Sequence, residues 1–289
     1  MRRRERLIPY LLLLPAFVFL LAFNIVPALA GFSEALYTNN LSPTRRAFVG
    51  LGNFERLLWD PTFWKSLWVT VVFTVVVNPL QTALALALAV LVNQRVRGIE
   101  AFRSISLFPV VISINISCTV WGLLLHQSGL VNGILVNLGL PRQPFLSSPK
   151  QGLGTIIGII SWVGVPYWMM FFLAGLQGIP QTIYEAAAVD GATVWQCFAR
   201  ITLPLLRRVV AFVLVADTIV NLFLFAPVWI LTRGGPQLST NLLMYDAYRR
   251  GIVWGNLGTM AAIVVILLFI TSAIIALEFL VLRESGPRG

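Results

Sequence analysis

The sequence predicts an all-α, polytopic membrane protein with six transmembrane helices and both termini on the cytoplasmic side. Three observations carry this. Hydrophobic residues make up 58% of the 289-residue chain and charged residues only 11%, less than half the roughly 25% that coats a soluble domain. The charges are also clustered: none lies between Arg6 and Glu34, between Lys65 and Arg95, or between Lys150 and Glu185. Finally, each uncharged stretch holds the ~20 mostly apolar residues that a helix needs to cross the hydrocarbon core. A disordered chain, a disulfide-stapled secreted scaffold and a cytosolic enzyme are excluded on the same grounds.

The expected spans are residues 7–31, 67–92, 104–125, 154–177, 209–231 and 259–281, within one transmembrane domain covering 1–289. The first has the basic start of a signal peptide (Arg2, Arg3, Arg4, Arg6), and Ala28-Leu29-Ala30 resembles a cleavage site. Its apolar run is far longer than the 7–15 residues of a signal-peptide core, so it reads as a retained helix. Basic residues then set the orientation. With the N-terminus inside, the inner segments hold 12 Lys and Arg in 56 positions and the outer segments 9 in 90.

The net charge of +10 therefore reads as topology-setting arginine at the membrane faces, not as a nucleic-acid surface. The two cysteines, Cys118 and Cys197, and the single histidine, His126, form no metal-ligand or disulfide pattern.

The longest inner connection, 178–208, carries the chemistry. Pro180 suits a first helical turn. Glu185 to Val189 is strong helix-forming sequence, and Gly191 ends that helix in the left-handed conformation. Thr193-Val-Trp-Gln196 reads as a capping box that opens a second short helix, with Pro204 as its stop. The segment has no lysine, unlike a basic helix lying on headgroups, and its alanines suit close packing against protein.

Glu185-Ala186-Ala187, then Asp190-Gly191, then Ile201-x-Leu203-Pro204 match in residues and spacing the EAA signature of the permease subunits of bacterial ABC importers. The resemblance implies an importer-type permease fold in which residues 180–204 form a cytoplasmic coupling helix docking on an ATP-binding subunit. Phe48-Val-Gly-Leu-Gly-Asn-Phe54, Asp60-Pro-Thr-Phe-Trp64, Arg103 to Pro109, Gly129-Leu-Val-Asn-Gly-Ile-Leu135 with Leu138-Gly-Leu140, and Leu231-Thr-Arg-Gly-Gly-Pro236 with Thr240 are similar to the carbohydrate-uptake branch, the maltose- and glycerol-3-phosphate-type permeases. One departure is Arg233, which adds positive charge in the variable slot of the last motif.

The resemblance also implies the partners. They are a second, related permease subunit, a dimer of cytoplasmic ABC ATPases, an extracytoplasmic solute-binding protein and a sugar, or else glycerol-3-phosphate or another solute. The chain has no Gly-x-x-x-x-Gly-Lys-Ser/Thr motif. No cofactor is expected on it, and ATP and magnesium belong to the ATPase. The outer arginines Arg45, Arg46, Arg233, Arg249 and Arg250 are expected to meet the solute receptor or lipid headgroups.

Substrate contacts are sought on the spans. Pro79, Pro166 and Pro227 each free a backbone carbonyl one turn earlier. Asp217, Asn221 and Phe225 recur at i, i+4 and i+8, with Trp229 drifting off their face. Asp217 is the one acidic residue deep in a span, where a charge costs about 2.5–3.5 kcal/mol. Two readings stand for it: a lining of the translocation path, or an interhelical hydrogen-bond partner. Trp162, Tyr167 and Trp168 could stack on a sugar or pack, and Asn78, Gln81 and Asn115 are weaker candidates. A proton- or sodium-coupled transporter would need more intramembrane carboxylates and repeated halves. An intramembrane enzyme would need paired catalytic groups. A permease for peptides, amino acids or oxyanions would share the EAA signature but not the Thr-x-Gly-Gly-Pro turn.

Overall fold

The computed structural model describes residues 3–38, 46–94 and 96–284, with side chains for 10–38, 46–94 and 96–280. Five helical stretches are long and apolar enough to cross a membrane: Tyr10–Glu34, Pro61–Val92, Gly152–Gln177, Arg207–Leu231 and Leu257–Leu280. A bent pair, Ile99–Val111 with Ile114–Leu124, makes a sixth. Arg45 and the basic N-terminal side chains of the first span lie outside the described residues. The chain divides into two compact units, residues 1–63 with 246–268 and residues 64–245 with 269–289.

The first unit opens with α1 (Arg3–Leu20) and α2 (Val26–Glu34), joined by a π turn, Leu21–Ile25. The turn sits just before Pro27. A proline has no N–H for the carbonyl four residues back, and its ring crowds that carbonyl. The π turn bonds Val26 N–H to the Leu21 carbonyl instead, which widens the coil at that point.

Two short strands follow, β1 (Tyr37–Thr38) and β2 (Ala47–Phe48), antiparallel with Tyr37 opposite Phe48. Helix α3 (Gly52–Leu58) carries Asn53 into this unit. Its buried amide donates to the carbonyls of Ala35 (2.8 Å) and Tyr37 (2.9 Å). The Gly-Leu-Gly-Asn motif is thus a clamp on the end of the first span. Asp60 caps α4 (Pro61–Val92), accepting from Thr62 N–H at 2.7 Å with proline at the first helical position. The cap explains why this helix starts six residues ahead of the expected span.

In the second unit, α4 is followed by α5 (Ile99–Val111), α6 (Ile114–Leu124), α7 (Leu130–Asn137) and α8 (Gly152–Gln177). Arg103 Nη2 donates to the carbonyl of Val92 at 2.8 Å and so caps the C-terminus of α4. The third expected span is not one straight helix. α5 and α6 meet at 94°, with Ile112 and Ser113 extended between them. Apolar content measures length, not continuity: the β-branched run Val110-Val111-Ile112 resists helix, and Ser113 suits the position before a new one.

After α8 come α9 (Gln181–Val189), α10 (Val194–Cys197), a π turn Phe198–Thr202, and α11 (Leu203–Leu205). Then follow α12 (Arg207–Leu222), α13 (Ala226–Leu231), α14 (Leu243–Tyr248), a third π turn Arg249–Val253, and α15 (Leu257–Glu284). The 209–231 span is interrupted at 223–225. Pro227 cannot donate to the Phe223 carbonyl, so α12 stops at Leu222 and α13 begins afresh. The core of this unit sets Ala85 and Ala89 of α4 against Trp168, Met169 and Phe172 of α8 and Val213 of α12. Small residues facing large ones let these helices approach closely.

The motif-bearing loops of this unit are locked by side chains. Asn132 donates to the carbonyls of His126 and Gln143 and accepts from Gln143 N–H. Thr232 and Thr240 hydroxyls meet at 2.7 Å, and Thr240 donates to the Gly235 carbonyl at 2.8 Å. Gly234 within that turn has φ +78°, and a Cβ there would lie 2.6 Å from Asn241 Oδ1, so only glycine fits.

Candidate functional site

Residues 180–205 form an exposed helical elbow. Pro180 has φ −58° and ψ 133° and sits just before α9, not in its first turn. Gly191 takes φ +74° and ends the helix, as its position in the sequence implies. The capping box is complete: Thr193 Oγ1 accepts from Gln196 N–H, and Gln196 Oε1 accepts from Thr193 N–H at 2.8 Å. Pro204 does not stop the second helix. It follows the π turn Phe198–Thr202, in which Leu203 N–H bonds the Phe198 carbonyl, and α11 carries the coil on to Leu205. The arrangement repeats that before Pro27, for the same reason.

Both arms of the elbow are tied at the base, where the Tyr184 hydroxyl lies 2.9 Å from Thr202 Oγ1. Glu185, Ala186 and Asp190 are exposed, Ala187 and Ile201 half-buried, and Leu203 and Pro204 exposed. Three residues that the sequence reading passed over stand at the tip: Val189 and Val194 are each 89% exposed and Trp195 73%. Trp195 stacks on Phe198 with ring centres 5.6 Å apart. Three apolar side chains beside an end-capping glycine are the available signal.

The span candidates separate into two groups. Asp217 is 1% exposed. Its Oδ1 accepts from Trp168 Nε1 (2.7 Å) and Asn221 Nδ2 (2.8 Å). Asn221 also donates to Asn78 Oδ1, Asn78 to Thr218 Oγ1, and Thr218 to Glu278 Oε1. One buried chain of hydrogen bonds thereby joins α4, α8, α12 and α15. Gln81 of α4 donates to Ser161 of α8 at 3.2 Å.

Phe225, beyond the break, leaves the Asp217–Asn221 face. Its ring stacks on Trp229 (6.1 Å) and on Tyr245 (6.2 Å). Trp162 meets Trp121 edge-on at 5.7 Å. Tyr167 is exposed and edge-on to Trp168. The structure therefore brings Asp217 and Asn221 together, and Phe225 and Trp229 together, but does not merge the two pairs. Trp168 and Thr218 complete the first, and Tyr245 the second.

Arg249 and Arg250 are not free for a receptor or headgroups. Arg250 is 8% exposed; it pairs with Asp246 through Nε at 2.7 Å and with Asp60 through Nη1. Arg249 pairs with Asp246 at 2.8 Å. Burial pushes the Asp60 carboxyl up, but the Arg250 guanidinium and the Thr62 N–H outweigh it and hold the group below its ordinary range. Burial likewise opposes the charge of Arg250, and the two carboxylates raise it above its usual value. Of these partners Asp246 lies within one helical turn of both arginines, and only Asp60 is remote in the chain. Arg46 pairs with Glu34 at 2.8 Å and lies over the Tyr37 ring. Among the described residues no group of three or more His, Cys, Asp or Glu could hold a metal ion.

Apolar helices of membrane-spanning length, a buried polar chain among four of them, and an exposed elbow define a polytopic membrane protein. Residues 6–285 match the model of the family described as binding-protein-dependent transport system inner membrane component, and the chain belongs to that family. It is similar to the trehalose/maltose transport system permease protein MalF of Thermococcus litoralis, with 35% identity over 282 residues, 96% of this chain and 95% of that one. It is 34% identical over 281 residues to the sn-glycerol-3-phosphate transport system permease protein UgpA of Agrobacterium fabrum, covering 95% and 94%. Among solved structures, a bacterial ABC transporter involved in alginate import matches with TM-score 0.84 at 24% identity, covering 98% of this chain and 97% of that one. That match establishes the fold.

Proposed function

We propose that this chain is one of two membrane subunits of an ATP-driven carbohydrate importer and that residues 180–204 are its lever, docked on a cytoplasmic ATPase. The observation that carries the reading is the exposed apolar tip, Val189, Val194 and Trp195, built on the stretch that bears Glu185-Ala186-Ala187 and Gly191. Fully burying a valine side chain contributes about 1.5–3 kcal/mol, so seating this tip in a protein cleft stabilises the contact by several kcal/mol. Glu185 supplies a charge for a basic partner, and Ala186 and Ala187 allow close approach. ATP binding and hydrolysis, with magnesium, occur on the ATPase dimer. Closure of that dimer drives the spans between inward- and outward-open states, and an external binding protein delivers the solute.

The carbohydrate class rests on the similarity to the trehalose/maltose permease. The similarity to the glycerol-3-phosphate permease favours a second reading, and competitive uptake with labelled disaccharide and labelled glycerol-3-phosphate separates them. Of the path candidates, Trp229 and Tyr167 are exposed and offer flat apolar faces to a sugar. Phe225 supports Trp229 from behind. Asp217, Asn221 and Trp162 are committed to neighbouring side chains and serve the frame.

The test is ATP-dependent uptake by the assembled transporter. Glu185→Lys and Gly191→Pro are expected to abolish uptake while the subunit reaches the membrane at normal levels. Uptake at the wild-type rate in both variants would remove the lever reading.

A further inference from the structure

α12 has two faces. Val213, Asp217 and Asn221 are buried in the second unit. The opposite face, together with Phe279 of α15, forms a groove of about 810 Å³. Arg207 and Arg208 stand at its head, and Phe212, Val215 and Ile219 line its floor. Phe212 is 52% and Phe279 57% exposed.

The geometry points to a binding site for an anionic phospholipid in this groove, with Arg207 and Arg208 on the headgroup phosphate and an acyl chain along Phe212, Val215 and Ile219. Three observations support it. First, the two guanidiniums are adjacent in sequence at the end of the span that follows the elbow, where the chain leaves the apolar core. Among the described residues neither is in an ion pair, and Arg207 Nη1 is buried without a hydrogen-bond partner. Second, below the arginines the lining is made of Ala, Val, Ile and Phe side chains, with nothing for a polar ligand to bond.

Third, the length fits. At 1.5 Å per residue, Arg208 to Ile219 spans about 16 Å, close to half of the ~30 Å hydrocarbon core. A ligand with one anionic end and an apolar tail as deep as one leaflet is a phospholipid. Basic pockets between transmembrane helices bind such headgroups. A helix of the second permease subunit would satisfy the apolar floor, but it would also need an acidic side chain at the level of the arginines.

The experiment uses the transporter assembled with its partner subunits, reconstituted in vesicles of phosphatidylcholine alone or with a quarter phosphatidylglycerol, then re-extracted for lipid counting by native mass spectrometry. The wild type is expected to retain phosphatidylglycerol in preference to phosphatidylcholine. R207Q/R208Q is expected to lose that preference by roughly tenfold or more, at about fivefold per arginine near an anionic surface. Ala211→Trp, which fills the groove without touching charge, should also displace the lipid. Arg97→Gln, an exposed arginine on the loop between α4 and α5, should leave it in place. Equal retention of phosphatidylglycerol by wild type and R207Q/R208Q would overturn the proposal. So would high-yield oxidative disulfide crosslinking, with copper phenanthroline, of Ala211→Cys to a cysteine introduced on the partner permease, which would make the groove a protein interface.

Discussion

Asp60 serves two partners at once. It caps α4 through Thr62 N–H and accepts from Arg250, nearly two hundred residues away in sequence. Its carboxyl is held below the ordinary carboxylate range. The stability it contributes is therefore fully present above the unfolded-state value of about 3.9 and is lost as pH falls through the lower folded-state value. We expect the thermal midpoint of the assembled transporter to drop as pH is taken from 5 toward 3, and Asp60→Asn to blunt that drop while lowering the midpoint at pH 7. A pH profile unchanged by Asp60→Asn would contradict the assignment. The family motifs are similar in kind: Asn53, Asn132, Thr232 and Thr240 bond to backbone or to each other. They are legible as motifs, but their acceptors are set by tertiary contact.

At the scale of elements, two prolines follow π turns by the same spacing. Pro27 and Pro204 each stand two residues after a turn in which the intervening residue donates to a carbonyl five back. The coil then passes the proline without a stop, and Pro79 and Pro166 likewise lie inside continuous helices, so a proline in this chain is not by itself an end. Pro227 behaves in the ordinary way and begins a new helix. The elbow's second arm depends on its cap. Thr193→Ala removes the bond to Gln196 N–H and costs about 1 kcal/mol. Amide exchange at Gln196 is expected to quicken roughly fivefold, and Thr193→Ser should restore it. Exchange indifferent to both changes would mean that the cap contributes nothing.

For the whole molecule, the proposed function makes the chain incomplete by itself. It carries no phosphate-binding loop, and among the described residues Val189, Val194 and Trp195 leave an exposed apolar cluster on the elbow. The purified chain in vesicles is expected neither to take up solute nor to hydrolyse ATP. Adding the ATPase subunits, the second permease and the binding protein should restore both, with hydrolysis stimulated by loaded binding protein. Solute-dependent uptake by the chain alone would defeat the reading.

Much of this was open to inspection in the sequence. The spans needed only apolar length, because a helix in lipid satisfies its own backbone, and the structure has five helical stretches long and apolar enough to cross. Gly191 and the Thr193–Gln196 box were readable because left-handed φ and capping are local requirements. Other features depended on residues far apart in the chain or on backbone direction, which composition does not encode. The 94° turn between α5 and α6 and the separation of Phe225 from Asp217 are of this kind. So are the pairing of Arg250 with Asp60 and the chain of bonds from Trp168 through Asp217 to Asn78. Sequence alone determined that the protein crosses a membrane and where the 180–205 elbow bends, since hydropathy and local turn chemistry suffice for both. Only tertiary structure decided which polar groups are spent on the frame and which remain free, because a hydrogen bond is made by proximity in space.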